Sequence, residues 1–397
     1  MSDRPIIYFD HNATTRVAPE VLAAMQPFFE RLWGNPSSAY GFGRAVTSHL
    51  DEAREKVAAL IHAEPREIVF TSCGTESNNT AIASALRVAP EKRHVVTTAV
   101  EHSANLAFGR DLERRGHEVT FLPVQPDGSL DLGRLQQALR PDTALCSVML
   151  ANNETGVLFP VAEIAALCRS HGVPFHTDAV QAAGKLKVDV GEIGCDMLSL
   201  SAHKLHAPKG IGLLYVRRRC RFHPYILGGH QERGRRGGTE NVPYIVGFGR
   251  AAELAQARLR DRPGQVRALR DRLENGLQQA VPGVHRNGGT QPRLPNTANL
   301  AFDGVEAEAM LLLLDRLGLC ASSGSACTTG ALEPSHVLSA MGLEPMRARG
   351  SIRFSLGPDN TDAEVDYALQ HIPEVVRNLR AISPLAPGPA ERPAADP

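Results

Sequence analysis

Short apolar runs rich in β-branched residues alternate with helical patterns through the middle of this chain, and few architectures accept that alternation. "REIVFTS", "HVVTTAV", "HEVTFLPV", "TALCSVML", "VPFHTDA", "MLSLSAH" and "GLLYVRR" read as strands. "ESNNTAIASALRVA", "SANLAFGRDLERRG" and "VAEIAALCRSHG" read as the helices between them. Strands that are apolar throughout, separated by helices, predict an α/β domain whose mostly parallel sheet is covered on both faces. The pattern assigns residues 16–260 to that domain.

The long stretch "VGFGRAAELAQARLRDRPGQVRALRDRLENGLQQAV" is helical in pattern and is expected to carry the chain out of the domain. "TANLAFDG", "AEAMLLLLDRLG", "SIRFSLG" and "DAEVDYALQHIPEVVRNLRAI" then suggest a smaller C-terminal α+β domain. Residues 1–15 and 261–382 are assigned to it. With 397 residues the chain is long enough for both cores. The last stretch, 383–397, is rich in Pro and Ala and is expected to be disordered.

Several function classes drop out. Lys plus Arg equals Asp plus Glu at 43 each, so bulk charge points to no nucleic-acid partner. The start lacks a basic segment followed by an apolar run, and the longest apolar run, "AMLLLLDRLGL", is interrupted by Asp315 and Arg316. The expectation is a cytoplasmic protein with no membrane contact. Seven cysteines without a CxxC pair do not make a disulfide framework, a zinc ribbon or a cluster-binding set. Six read as ordinary small residues or carry no signal. Cys327, in "SSGSACTTG", is different, because its neighbours cannot bury a hydrophobic face.

Three strand ends carry possible chemistry. In "TSCGTESNN" a strand runs through Gly74 and Thr75 into a helix, whose free N–H groups suit a phosphate, although Ser72 or Thr75 could simply cap that helix. In "FHTDAVQAAG", Asp178 could pair with a protonated ring nitrogen of a cofactor, with Gln181 three residues on; a plain N-cap is the other reading. In "LSLSAHKLHAPKG", Ser201 and His203 precede Lys204, whose amine could form a Schiff base or simply face solvent. His203 and His206 stand three apart, but no acid or thiol nearby completes a metal site. Together, a phosphate cradle, a carboxylate and a lysine are what pyridoxal 5'-phosphate requires. His102 in "AVEHSAN" and Asn153 in "MLANNETG" sit at two further strand ends. Arg353 in "SIRFSLG" could clamp a substrate carboxylate or pair with a core acid. The glycine- and arginine-rich "GGHQERGRRGGTENV" is expected to be a loop.

"YFDHNATT", "GNPSSAYGFGR", "CGTESNN", "EHSAN", "NNETG", "HTDAVQ", "SAHKLHAPKG", "GGHQERGRRGGTEN" and "SSGSACT" together resemble the NifS/IscS-type cysteine desulfurases, class V aminotransferase relatives, with wording closer to the nitrogenase-associated NifS branch. That resemblance implies a fold-type I homodimer dependent on pyridoxal 5'-phosphate. It implies that Lys204 holds the cofactor, Asp178 its ring nitrogen and Gln181 its phenolic oxygen. His102 would stack on the ring and move protons. Gly74, Thr75, Ser201 and His203 would hold the phosphate, with Thr239 entering from the other subunit. Asn153 would line the cofactor site and, with Arg353, hold the substrate carboxylate. Cys327 would take sulfur from L-cysteine as a persulfide, leaving L-alanine, and pass it to an acceptor such as a NifU-like iron–sulfur scaffold, with a possible contact to iron. Nitrogenase cluster assembly is the implied destination. A selenocysteine lyase or an aminotransferase of the same fold is the alternative, and the loop thiol argues against it.

Overall fold

The computed structural model describes residues 6–323 and 334–383. A short strand, β1 (Ile7–Tyr8), opens it. The next seven strands are β2 (Ile68–Thr71), β3 (His94–Thr98), β4 (Glu118–Leu122), β5 (Thr143–Ser147), β6 (Phe175–Asp178), β7 (Met197–Ser201) and β8 (Gly212–Val216). They form one sheet in the order β2-β8-β7-β6-β5-β3-β4. The pairs from β7 through β6, β5 and β3 to β4 are parallel; β8 runs antiparallel to both β2 and β7. Every residue of β3, β5, β7 and β8 is buried, as expected of a sheet covered on both faces. All seven expected strands are present.

The helix Gly74–Val88 packs across this sheet, and its many small residues, among them Ala81, Ala83 and Ala85, allow the close approach. At the β2 edge the sheet is closed by side chains rather than by another strand. Glu232 accepts from the main-chain N–H of Phe70 at 2.9 Å and from both terminal nitrogens of Arg54 at 2.7 and 2.8 Å. Arg54 and Arg233 in turn donate to the Ile68 carbonyl at 3.0 and 2.9 Å. Satisfying an edge strand in this way removes a template for strand addition. Glu232 and Arg233 hold positive φ angles of 48° and 58° to do so.

The helical stretch that follows β8 is two helices, Val242–Arg258 and Arg262–Ala280. Pro263 explains the break. It lacks an N–H and its ring clashes with a preceding helical turn, so it suits the first turn of a new helix.

The remaining elements are β9 (Val284–Arg286), β10 (Thr297–Phe302), β11 (Leu319–Cys320) and β12 (Ser351–Ser355), with helices Ala307–Arg316 and Asp362–Ile382. β10 is buried at all six positions and lies between β12 and β9, antiparallel to both. β1 pairs with β11 in parallel. Leu273, Phe302, Met310, Phe354 and Ile372 centre a second apolar cluster here. Late residues Val337, Leu338 and Met341 instead join the first cluster. Residues 10–18 cross between the two: Asp10 bridges to Ser355, Thr15 N–H donates to the His203 carbonyl and Ala18 N–H to that of His206.

Candidate active site

The C-terminal ends of β2, β3, β5, β6 and β7 converge, as strand ends do in open α/β sheets. At the β2 end, Gly74 and Thr75 open the helix Gly74–Val88, leaving their N–H groups unpaired in the first turn. A side chain at Gly74 would bring its Cβ to 3.0 Å from Val180. The first turn also carries Glu76, a poor neighbour for an anion. Burial pushes its carboxyl up, but hydrogen bonds from Arg236 (2.9 and 3.2 Å) and the Ser72 N–H (2.7 Å) outweigh this and hold it below the usual range. Arg236 therefore neutralises Glu76 and leaves the helix end electropositive.

At the β6 end, Asp178 accepts from Asn78 Nδ2 at 2.6 Å and from the Val180 N–H at 2.9 Å. Gln181 Nε2 donates to the Asn12 carbonyl at 3.0 Å, and its Oε1 accepts from the Lys185 amine at 2.9 Å. The amide orientation is thus set, and Gln181 keeps one N–H for a bound oxygen. At the β7 end, the buried Ser201 leads through His203 to Lys204. Burial pushes the His203 imidazole down to about 4, and the cations of Lys204 and Lys209 act the same way, so the ring is neutral near pH 7. The Lys204 amine donates to the carbonyls of Asn12 and Ala13 at 2.5 and 2.6 Å.

His102 caps the helix Ser103–Arg114, its Nδ1 accepting from the Ala104 N–H at 3.1 Å. The neutral ring therefore carries its proton on Nε2. Burial lowers its proton affinity, Asp178 raises it, and Lys204 lowers it again. After β5, the Asn153 carbonyl accepts from Arg353 Nη1 at 3.1 Å. Arg353, on β12, also donates to Asp10 Oδ1 at 2.6 Å and leaves a buried Nε without a partner among the described residues. It is both paired with an acid and part of the cavity wall.

A cavity of about 320 Å³ brings these groups together. Gly74, Thr75, His102, Asn153, Asp178, Gln181, Ser201, His203, Lys204 and Arg353 all line it. Thr239 does not; it is exposed on the surface. Cys327 lies outside the described residues. The described residues that flank it adjoin the cavity wall. Ser322 exchanges main-chain hydrogen bonds with Arg353 at 3.1 and 2.6 Å, and the Ser335 hydroxyl donates to Glu154 at 2.5 Å. Among the described residues no group of three or more His, Cys, Asp or Glu side chains could hold a metal ion, and no helix is long and apolar enough to cross a membrane.

Four contributors were missed in the sequence. Asn12 presents its carbonyl to Lys204 and Gln181 and its side-chain oxygen to Lys185 at 2.9 Å. Lys185 has only neutral oxygens as hydrogen-bond acceptors, and burial with Lys204 and Arg353 nearby pushes its amine well below the ordinary lysine value. Its spacing of four from Gln181 was the available signal. Glu101, behind His102, is fully buried, which pushes its carboxyl up to about 8 despite donors from Met149, Thr98 and Asn105. Asn78, one helical turn after Gly74, orients Asp178.

The model of the aminotransferase class-V family matches residues 7–368. The chain is 55% identical over 381 residues to "Cysteine desulfurase 2" of Trichormus variabilis, covering 96% of each chain. It is 51% identical over 390 residues to "Cysteine desulfurase NifS" of Azotobacter vinelandii, covering 98% of this chain and 97% of that one. A solved "NIFS-LIKE PROTEIN" superposes with a TM-score of 0.89 at 38% identity, over 94% of this chain and all of the other.

Proposed function

This chain belongs to the aminotransferase class-V family, and on that footing we propose that it is a cysteine desulfurase dependent on pyridoxal 5'-phosphate. One observation carries the reading. A helix N-terminus, the Asp178 carboxylate, the Lys204 amine and the Arg353 guanidinium share a single cavity. The residues fit the cofactor: a helix end whose own acid is neutralised by Arg236, a carboxylate placed for a ring nitrogen and an amine within the same walls. When bound, that group supplies an electron sink for charge left on the substrate Cα.

The protein's own groups do the rest. The N–H groups of Gly74 and Thr75, with Ser201 and His203, would hold the phosphate. Asp178, fixed by Asn78, would face the ring nitrogen. Gln181 would donate its remaining amide hydrogen to the phenolic oxygen. Lys204 would be the point of attachment and the base at the substrate Cα. His102, with its hydrogen on Nε2, would cover the ring and act as a proton donor. Asn153 and Arg353 hold the substrate carboxylate. The thiolate of Cys327 attacks the sulfur of L-cysteine, the Cβ–S bond breaks, and the products are a persulfide on Cys327 and L-alanine. Ser322 and Ser335 support this role for Cys327, since both are tied to residues at or beside the cavity.

The chain acts as a cytoplasmic homodimer in which the exposed Thr239 reaches the partner's phosphate. It delivers sulfur to a NifU-like iron–sulfur scaffold for nitrogenase assembly, with Cys327 touching the receiving iron; the similarity to the Azotobacter protein supports that destination. The test is to supply L-cysteine and a reducing thiol and to measure sulfide and alanine. Equal amounts are expected from the wild type and none from Cys327→Ala, which should keep the absorbance of the lysine-bound cofactor. Sulfide release that survives in the variant overturns the role of Cys327 and favours a lyase.

A further inference from the structure

Lys204 also lines a second recess, separate from the cavity above, with a volume of about 70 Å³. It lies at the seam of the two apolar clusters. Leu205 and Ala255 of its wall belong to the first cluster, Val266 and Leu356 to the second. The junction between helices Val242–Arg258 and Arg262–Ala280 forms one side of it.

The ionisable lining is all of one sign. Lys185, Lys204, His11, His206, Arg258 and Arg262 contribute to it, and no Asp or Glu does. The Arg258 guanidinium has no hydrogen-bond or ion-pair partner among the described residues, and its charge opposes protonation of His206. Among the described residues, the Arg262 side chain finds only the neutral Gln265, at 3.2 Å. His11, 8% exposed, has a buried Nδ1 without a hydrogen-bond partner among the described residues. Asp359, just past the wall, favours protonation of His11 and His206, but burial and the cations prevail at both. The Arg258 guanidinium thus lacks a counter-ion among the described residues, and a bound anion would supply one.

Size and wall chemistry narrow the anion. A water-sized body takes up roughly 10–15 Å³ on this measure, so the recess holds about five or six heavy atoms. The rest of the wall is mostly apolar, with Leu205, Ala255, Pro263, Val266, Pro295 and Leu356, and its two polar side chains, Thr15 and Asn296, already hydrogen-bond within the protein. Such walls do not repay the dehydration of an inorganic dianion, whereas they match a short alkyl chain.

We propose that this recess binds a small organic carboxylate of about three or four carbons, with its charge toward Arg258 and its chain against Leu205, Ala255 and Val266. The inference is independent of the desulfurase reading.

Sodium propionate is the probe, with 1-propanol and inorganic phosphate as controls, added to the holoenzyme and followed by saturation-transfer NMR and by the unfolding midpoint. Because propionate could also occupy the substrate site, Arg353→Ala is measured in parallel. The expected result is propionate binding that persists in Arg353→Ala and weakens about tenfold in Arg258→Gln, the size of one charge-assisted hydrogen bond. Ala255→Leu, which fills the recess and keeps every cation, should abolish it. Propionate should raise the midpoint of the wild type, and 1-propanol should not. No propionate binding up to about 20 mM, a weak millimolar ceiling, overturns the proposal. So does binding lost in Arg353→Ala but kept in Arg258→Gln and Ala255→Leu, or tighter binding of phosphate than of propionate.

Discussion

Arg353 and Asp10 form a 2.6 Å ion pair that joins β12 to the segment passing beneath Lys204, with the arginine 5% exposed. Breaking a buried pair from one side costs more than removing both charges, because the survivor stays buried without compensation. Arg353→Ala is therefore expected to lower stability by roughly 3–5 kcal/mol. The double variant with Asp10→Asn should lose less than the sum of the single changes. Denaturant unfolding of the four proteins measures the coupling, and simple additivity would mean the pair is structurally idle.

If the N–H groups of Gly74 and Thr75 hold a cofactor phosphate as proposed, the clamp on Glu76 should separate phosphate recognition from ring recognition. Arg236→Ala exposes an uncompensated carboxylate beside the free N–H groups of Gly74 and Thr75. Affinity of the apo protein for pyridoxal 5'-phosphate should fall about tenfold or more, the effect of placing a like charge at an anion site. Affinity for pyridoxal, which lacks the phosphate, should barely change. An equal loss for both compounds would assign Arg236 a purely structural role.

His102 has two separable duties, one at each nitrogen. His102→Asn keeps an acceptor for the Ala104 N–H and so preserves the helix cap. His102→Ala removes it at a cost of about 1 kcal/mol. Both should lose turnover, because neither offers the proton on Nε2. Thermal unfolding then distinguishes the variants while activity does not. A fully active asparagine variant would show that Nε2 is dispensable.

Glu154 gives a pH signature. Burial pushes its carboxyl up to about 7, against an ordinary value of 4.5. A folded-state value above the unfolded one means stability present below about 4.5 that is lost as pH rises through about 7. Glu154→Gln does not titrate, so its stability relative to wild type should improve across that window by roughly 3 kcal/mol. Unfolding curves at several pH values check the sign, and a flat difference would mean the carboxylate is ionised in the fold.

The edge of the sheet depends on one ion pair. Glu232→Ala strands Arg54 and frees the Phe70 N–H. Loss of roughly 3–5 kcal/mol is expected, and light scattering should show association through the uncovered β2 edge. Chemical unfolding and scattering that both match wild type would show that the closure is incidental.

The seven strands were legible because each is a short, nearly uninterrupted run of β-branched and apolar residues, which is what a sheet buried on both faces needs. The strand-end positions of Gly74, Asp178 and Lys204 followed directly, since the alternation places the turns. Long-range pairings were another matter. Nothing local ties Arg54 to Glu232, 178 positions away, or Asn12 to Lys204, 192 away. Local spacing also gave no hint that Arg236 answers Glu76, or that His102 spends Nδ1 on a helix cap.

Residues 10–15 are held at both ends, by Ser355 on one side and by His203 on the other, and the Asn12 and Ala13 carbonyls between them are the acceptors of the Lys204 amine. Such a segment works as a taut linkage. If β12 shifts relative to the large sheet, the slack must be taken up at those two carbonyls, so the amine's aim and its readiness to lose a proton become a gauge of where the second core stands. A blow that merely loosens β12 would then be read first in the colour of the lysine-bound cofactor, well before the protein unfolds.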